Sequence, residues 1–162
     1  MFHKILKAVS CSLIFLSLIS CTRNPDIAGD PKQRLIEYIS KSFMIKQPED
    51  KSQLLSYLTG DVKARLESWS SEQFRDAFLS KKRELIKLSI REIKSISDDE
   101  AQITYELVYS EIKTASGTQT SQAKITNKKL CQMVRGDHGR WYIADVKNIK
   151  ELIEFKDELS LP

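Results

Sequence analysis

Past Arg83 the apolar residues stop recurring every three or four positions and begin to alternate. Ile86, Leu88 and Ile90 are interleaved with Lys87, Ser89 and Arg91, the pattern of a strand buried on one face. The alternation slips at Ile93 and Ile96, which predicts a bulge or bend. Ser97–Glu100 reads as a polar turn, and Ile103, Tyr105, Leu107 and Tyr109 alternate through a second strand. A turn at Ala115–Thr118 precedes a third strand, opened by Ala123 and Ile125 and continued by Leu130–Val134. Gly136-Asp137-His138-Gly139 is a hairpin signal, and Trp141–Val146 forms the fourth strand. Ile149, Leu152, Ile153 and Phe155 then return to helical spacing, predicting a closing helix over 148–159.

The part before Arg83 reads as helices. Asp30 can cap and Pro31 suits a first helical turn; Leu35, Ile36, Ile39, Phe43 and Met44 share one face of a helix fading near Gln47. A short helix over 49–58 follows, interrupted by Gly60, with further turns over 62–69. Ser70 and Gln73 have capping-box spacing ahead of Phe74, Ala77 and Phe78. Helices first and a meander after predict an α+β fold: N-terminal helices packed on one face of a curved, mainly antiparallel four-stranded sheet whose other face is polar.

The N-terminus carries a different kind of signal. Lys4 and Lys7 precede an apolar core over 8–19, too short to span a bilayer, which needs roughly 20 apolar residues. The core ends in Leu18-Ile19-Ser20-Cys21, which resembles the lipobox of bacterial lipoproteins. The resemblance implies cleavage between Ser20 and Cys21, with the Cys21 thiol alkylated by diacylglycerol and its freed amine acylated. Two or three such chains anchor a protein stably, at about 0.8 kcal/mol for each buried CH₂. Residues 1–20 are then a signal peptide, 21–29 a lipidated cysteine and polar tether, and 30–162 a single domain. Thr22, following the cysteine, points by analogy with enteric bacteria to the outer membrane, facing the periplasm. The expected location is the bacterial cell envelope.

Charge and cysteine content narrow the chemistry. The chain has 26 Lys and Arg against 22 Asp and Glu. Residues 1–20 contain two of those cations and no acid, so the remainder is near balance and argues against nucleic-acid binding. Cys131 is left alone after Cys11 and Cys21, so a mature domain has no intrachain disulfide. Cys131 reads as a buried, inert thiol, with an intermolecular disulfide the alternative. His138, between Asp137 and Gly139, reads as a turn residue rather than a catalytic or metal-binding one. Neither a phosphate-binding glycine loop nor a metal-ligand spacing is present in the sequence, so no metal and no cofactor is expected.

The order of elements, and Gly139-Arg140-Trp141-Tyr142-Ile143-Ala144-Asp145-Val146 as a final strand, resemble the nuclear-transport-factor-2-like superfamily over about residues 30–150. That resemblance implies a cone of bent sheet around a long N-terminal helix. It also implies two classes of function, since the superfamily holds both enzymes and binding modules. An isomerase or hydratase of this fold needs a carboxylate base with a tyrosine inside the cone, and Tyr105, Tyr109 and Glu111 are the residues placed for it. The simpler expectation is a non-catalytic binding domain, with Tyr105, Tyr109, Glu111 and Trp141 lining a pocket for a small hydrophobic ligand. Contact of the sheet with another envelope protein is the other binding possibility. Both classes share the membrane as partner through the N-terminal lipid.

Overall fold

The computed structural model describes residues 29–114 and 120–156. The expected signal peptide, most of the expected tether, the expected turn at 115–118 and the end of the expected closing helix lie outside them. The order is four helices followed by four strands: α1 (Pro31–Phe43), a 3₁₀ turn (Pro48–Asp50), α2 (Lys51–Leu55), α3 (Gly60–Ser68), α4 (Ser71–Phe78), β1 (Lys82–Ser95), β2 (Glu100–Thr114), β3 (Thr120–Arg135) and β4 (Trp141–Lys156).

Caps fix where the helices begin. Asp30 accepts from the Lys32 amide at 3.0 Å, and Pro31 stands in the first turn, where a missing N–H costs nothing. Ser70 Oγ accepts from the Gln73 amide at 3.1 Å, and Gln73 Oε1 accepts from the Ser70 amide at 2.8 Å, completing the capping box of α4. Two helices stop earlier than their periodicity predicts, for local reasons. The α1 helix ends at Phe43 because the Asp50 carboxylate captures the amides of Lys46 and Gln47, at 3.0 and 3.3 Å, and opens a new turn. The α2 helix ends at Leu55 because the next residues join the sheet: the Ile143 amide donates to the Tyr57 carbonyl at 2.9 Å, and the Thr59 amide to the Ile143 carbonyl at 3.0 Å. Gly60, with φ +57°, then starts α3 rather than merely interrupting a helix.

The sheet runs β1-β2-β3-β4, antiparallel throughout. Four bulges break its register, at Ile86 and Arg91 in β1 and at Ala144 and Ile149 in β4. The two in β1 account for the slipped alternation. They bring Leu85, Leu88, Ile90 and Ile93 opposite Tyr109, Leu107, Tyr105 and Ile103, all on one face. The closing helix is a correction: residues 148–156 continue β4. Helical spacing is ambiguous over so short an apolar run, and β3 decides it. Residues 122–128 would expose unpaired backbone groups without a partner, and β4 supplies one along their whole length. The bulge at Ile149 resets the alternation, so Glu151, Ile153 and Phe155 face the same side as Asn127, Ile125 and Ala123.

The helices cover one end of the concave face. There Leu35 and Ile39 of α1, Leu54, Leu58, Leu66 and Phe74 pack on Ile103, Tyr105, Cys131, Met133 and Ile143. This matches the α+β arrangement expected from the sequence, with helices on one side of a curved antiparallel sheet. The described residues leave the other end of the concave face uncovered, and β4 beyond Lys147 is exposed along the sheet edge.

Candidate functional site

The open end of the concave face holds a cavity of about 300 Å³. All four strands, with Lys81 just ahead of β1, supply its lining. Ala123 and Ile125 of β3 and Ile153 and Phe155 of β4 form an apolar wall; Lys81, Arg83, Tyr109, Glu111 and Glu151 are the polar groups of the cavity. Their assembly follows from register, because Arg83 pairs with Glu111, Glu111 with Ala123, and Ala123 with Phe155 across adjacent strands. Side chains directly opposite on one face lie about 5 Å apart at Cβ, so a single row across the sheet becomes one wall. Phe155 is 66% exposed and Ile153 44%, so the apolar wall is accessible to a ligand.

Glu111 is the electrostatic centre. Its side chain is only 8% exposed and holds two cations, Lys81 Nζ at 2.8 Å and Arg83 Nε at 3.4 Å. Arg83 is fixed further by its Nη1 donating to the Ala77 carbonyl at 2.9 Å. Burial works to raise the Glu111 pKa, but the Lys81 hydrogen bond and the charges of Lys81 and Arg83 outweigh it and leave it below the ordinary value. Glu111 is therefore an ionised, doubly paired carboxylate. A general base or acid of this fold needs a carboxyl held near neutral pH by burial, which is the opposite environment.

Tyr109 behaves differently. Burial raises its pKa against the lowering effect of Arg83, so it is a neutral hydrogen-bonding phenol. Deeper on the same face lies Asn127, 3% exposed, whose side-chain oxygen has no hydrogen-bond partner among the described residues. Asn127 sits opposite Glu151 in β4, next to the cavity lining. Lys129, one step further in, has its pKa lowered by burial, opposed by Glu151 and reinforced by Arg83. Among the described residues no cluster of His, Cys, Asp and Glu is arranged to hold a metal.

The four pocket residues expected from the sequence do not converge. Tyr109 and Glu111 share the cavity. Tyr105 is 3% exposed and lies in the helix-covered core, its phenol pKa raised by burial and then by the nearby Cys131 and Tyr38. Trp141 pairs with Arg135 at the opposite end of the sheet from Glu111. Twelve positions along the chain, from Asp99 opposite Arg135 to Glu111, separate the two rows, roughly 40 Å along a strand. Trp141 packs in the core, with the Arg135 guanidinium 5.7 Å from its ring. Sequence reasoning missed Lys81, Arg83, Asn127, Ile153 and Phe155. Lys81 and Arg83 belong to no motif along the chain, and Ile153 and Phe155 read as a helix face; only strand pairing joins them to Glu111. Cys21 and Ser20 fall outside the described residues.

The architecture and the cavity define a class: a one-sided α+β sheet domain with an open, amphipathic end. Comparison with solved structures agrees at the level of fold. The chain is similar to the intermembrane-space region of the chloroplast protein ARC6, with 16% identity and a TM-score of 0.53, over 74% of this chain and 96% of that one. It also aligns with an Ntf2-like protein involved in plasmid conjugation, with 9% identity and a TM-score of 0.44, over 75% of this chain and 50% of that one. No protein-family model and no curated protein sequence matches.

Proposed function

We propose that this chain is an envelope lipoprotein, anchored through Cys21, whose domain binds a small, partly apolar molecule without transforming it. The cavity at the open end of the sheet carries the reading. Its volume of about 300 Å³ lies at the lower end of small-molecule sites, and it offers one apolar wall with a few convergent polar groups. The low pKa of Glu111 favours binding over acid–base chemistry, because a carboxylate neutralised by Lys81 and Arg83 is a poor proton acceptor. Glu111 then serves to hold those two cations in place at the cavity wall.

The anchor rests on the Leu18–Cys21 motif. No helix among the described residues is long and apolar enough to cross a membrane. The two parts are tested separately. Cys21→Ser in the full chain, expressed in bacteria, is expected to abolish labelling by radioactive palmitate; persistent labelling overturns the anchor. Native mass spectrometry of the purified chain is expected to show a small molecule that Ile153→Asp no longer retains. A bound molecule retained equally by that variant places the ligand elsewhere and overturns the pocket.

A further inference from the structure

A second hollow, of about 370 Å³, adjoins the first. Phe43 and Ile45, where α1 ends, and Phe78 and Leu79, where α4 ends, supply its apolar surface. Lys81 and Arg83 line both hollows, so two side chains separate them. The Phe43 ring meets Tyr109 edge to face at 5.6 Å, so aromatic surface runs from one hollow to the other.

Charge is divided unequally between the two. The sheet-side hollow has Lys81 and Arg83 balanced by Glu111 and Glu151. Among the described residues the helix-side hollow is lined by Lys46, Lys81, Lys82 and Arg83, and by no carboxylate. The acids nearest to it have other partners. Those partners include three of the lining cations: Glu111 holds Lys81 and Arg83, and Glu84 holds Lys82 in an exposed pair at 2.8 Å, while Asp50 accepts from the backbone amides of Lys46 and Gln47. Four lining cations thus meet two pairing carboxylates, Glu111 and Glu84, which leaves an apolar hollow with a local excess of positive charge, Lys46 standing outside these ion pairs. Such a hollow attracts an anion, and its apolar walls favour an anion that carries hydrocarbon.

We propose that the two hollows together bind one amphipathic anion. Its carboxylate or phosphate head sits by Lys46 and Lys82 in the helix-side hollow. Its apolar chain crosses the Lys81–Arg83 divide and lies on Ile125, Ile153 and Phe155. This rests on the sheet-side hollow being the ligand pocket, and names the class of its ligand.

The test uses the full chain held in nanodiscs of zwitterionic lipid, with protein-free discs subtracted, titrated calorimetrically. Decyl phosphate and decanoate supply the anionic amphiphile, decanol the chain without charge, and inorganic phosphate the head without the chain. K46Q/K82Q removes two exposed charges without touching the core. It is expected to weaken decyl phosphate about tenfold, as the loss of solvent-screened charge-assisted contacts allows, and to leave decanol unchanged. Ile153→Asp is expected to weaken both decyl phosphate and decanol. If K46Q/K82Q binds decyl phosphate like the parent while Ile153→Asp does not, the head-group assignment is overturned and the pocket survives. Inorganic phosphate binding as tightly as decyl phosphate overturns the amphiphile and leaves a simple anion site. No binding of either decyl compound overturns both readings.

Discussion

At the scale of single residues, the molecule turns on which titratable groups are paired and which are merely buried. Glu111 is paired. Its pKa falls on folding from an ordinary value of 4.5, so it contributes stability above that pH and loses the contribution as the pH drops through the lower, folded value. Glu111→Gln is expected to cost about 1–2 kcal/mol at neutral pH, a buried-pair penalty discounted because Lys81 and Arg83 are about one-third exposed. The gap to the parent should close in strong acid. Denaturant unfolding at both pH values checks this, and a pH-independent gap would point to lost packing instead. Cys131 is only buried. Its thiol is fully covered, 3.4 Å from the Met133 sulfur, and its pKa is pushed up to about 12 by burial and then by Asp145. It is expected to resist alkylation in the folded chain and to react on unfolding, as peptide mapping would show; labelling of native Cys131 would revive the intermolecular disulfide. The sequence disclosed the inert thiol, since a lone cysteine among Leu130, Gln132 and Met133 sits naturally on a strand. It could not disclose the state of Glu111, whose partners lie 28 and 30 positions earlier in the chain.

At the scale of elements, one arginine adds polar contacts to the apolar packing of α1 on the sheet. Arg34 Nε donates to the Trp141 carbonyl at 3.2 Å and Nη2 to the Ser56 carbonyl, while its guanidinium lies 3.8 Å from the centre of the Tyr57 ring. Arg34→Ala removes charged hydrogen bonds and a stacked cation together, and should destabilise the chain by about 2–3 kcal/mol in chemical denaturation. A change below half a kcal/mol would mean that the contacts are dispensable. Gly60 makes a backbone argument. Its φ of +57° is the left-handed region, where a Cβ costs about 1–2 kcal/mol, and nothing within 4 Å would meet that atom. Gly60→Ala should therefore lower the melting temperature through backbone strain alone, with Gly60→Asn milder. The helix starts at Asp30 and Ser70 were legible because a cap is a local, few-residue interaction. The ends of α1 and α2 were not, because a side chain at Asp50 and a strand beginning at Trp141 compete for the same backbone groups.

At the scale of the whole molecule, coverage of the sheet is uneven and the open part carries the cavity. The Tyr57–Thr59 segment protects the first half of β4, and nothing among the described residues protects the second. Hydrogen exchange is expected to be slow over 141–146 and markedly faster over 148–156. Equal protection would show that the open edge is covered in solution. Lys150 stands along that half and Lys147 just ahead of it, charges of the kind that discourage a free edge from pairing with another sheet. What the sequence determined by itself is the succession of helices and then strands from Asp30 to Val146, the face that β2 buries and the caps that start α1 and α4. Apolar period and local hydrogen bonding are properties of neighbours in the chain. Tertiary structure alone decided that residues 148–156 are strand, because β3 needed a partner. It alone placed Lys81, Arg83 and Glu111 beside Ile125, Ile153 and Phe155. Cross-strand register joins residues far apart in the chain, and neither charge nor hydropathy read along the chain carries that register.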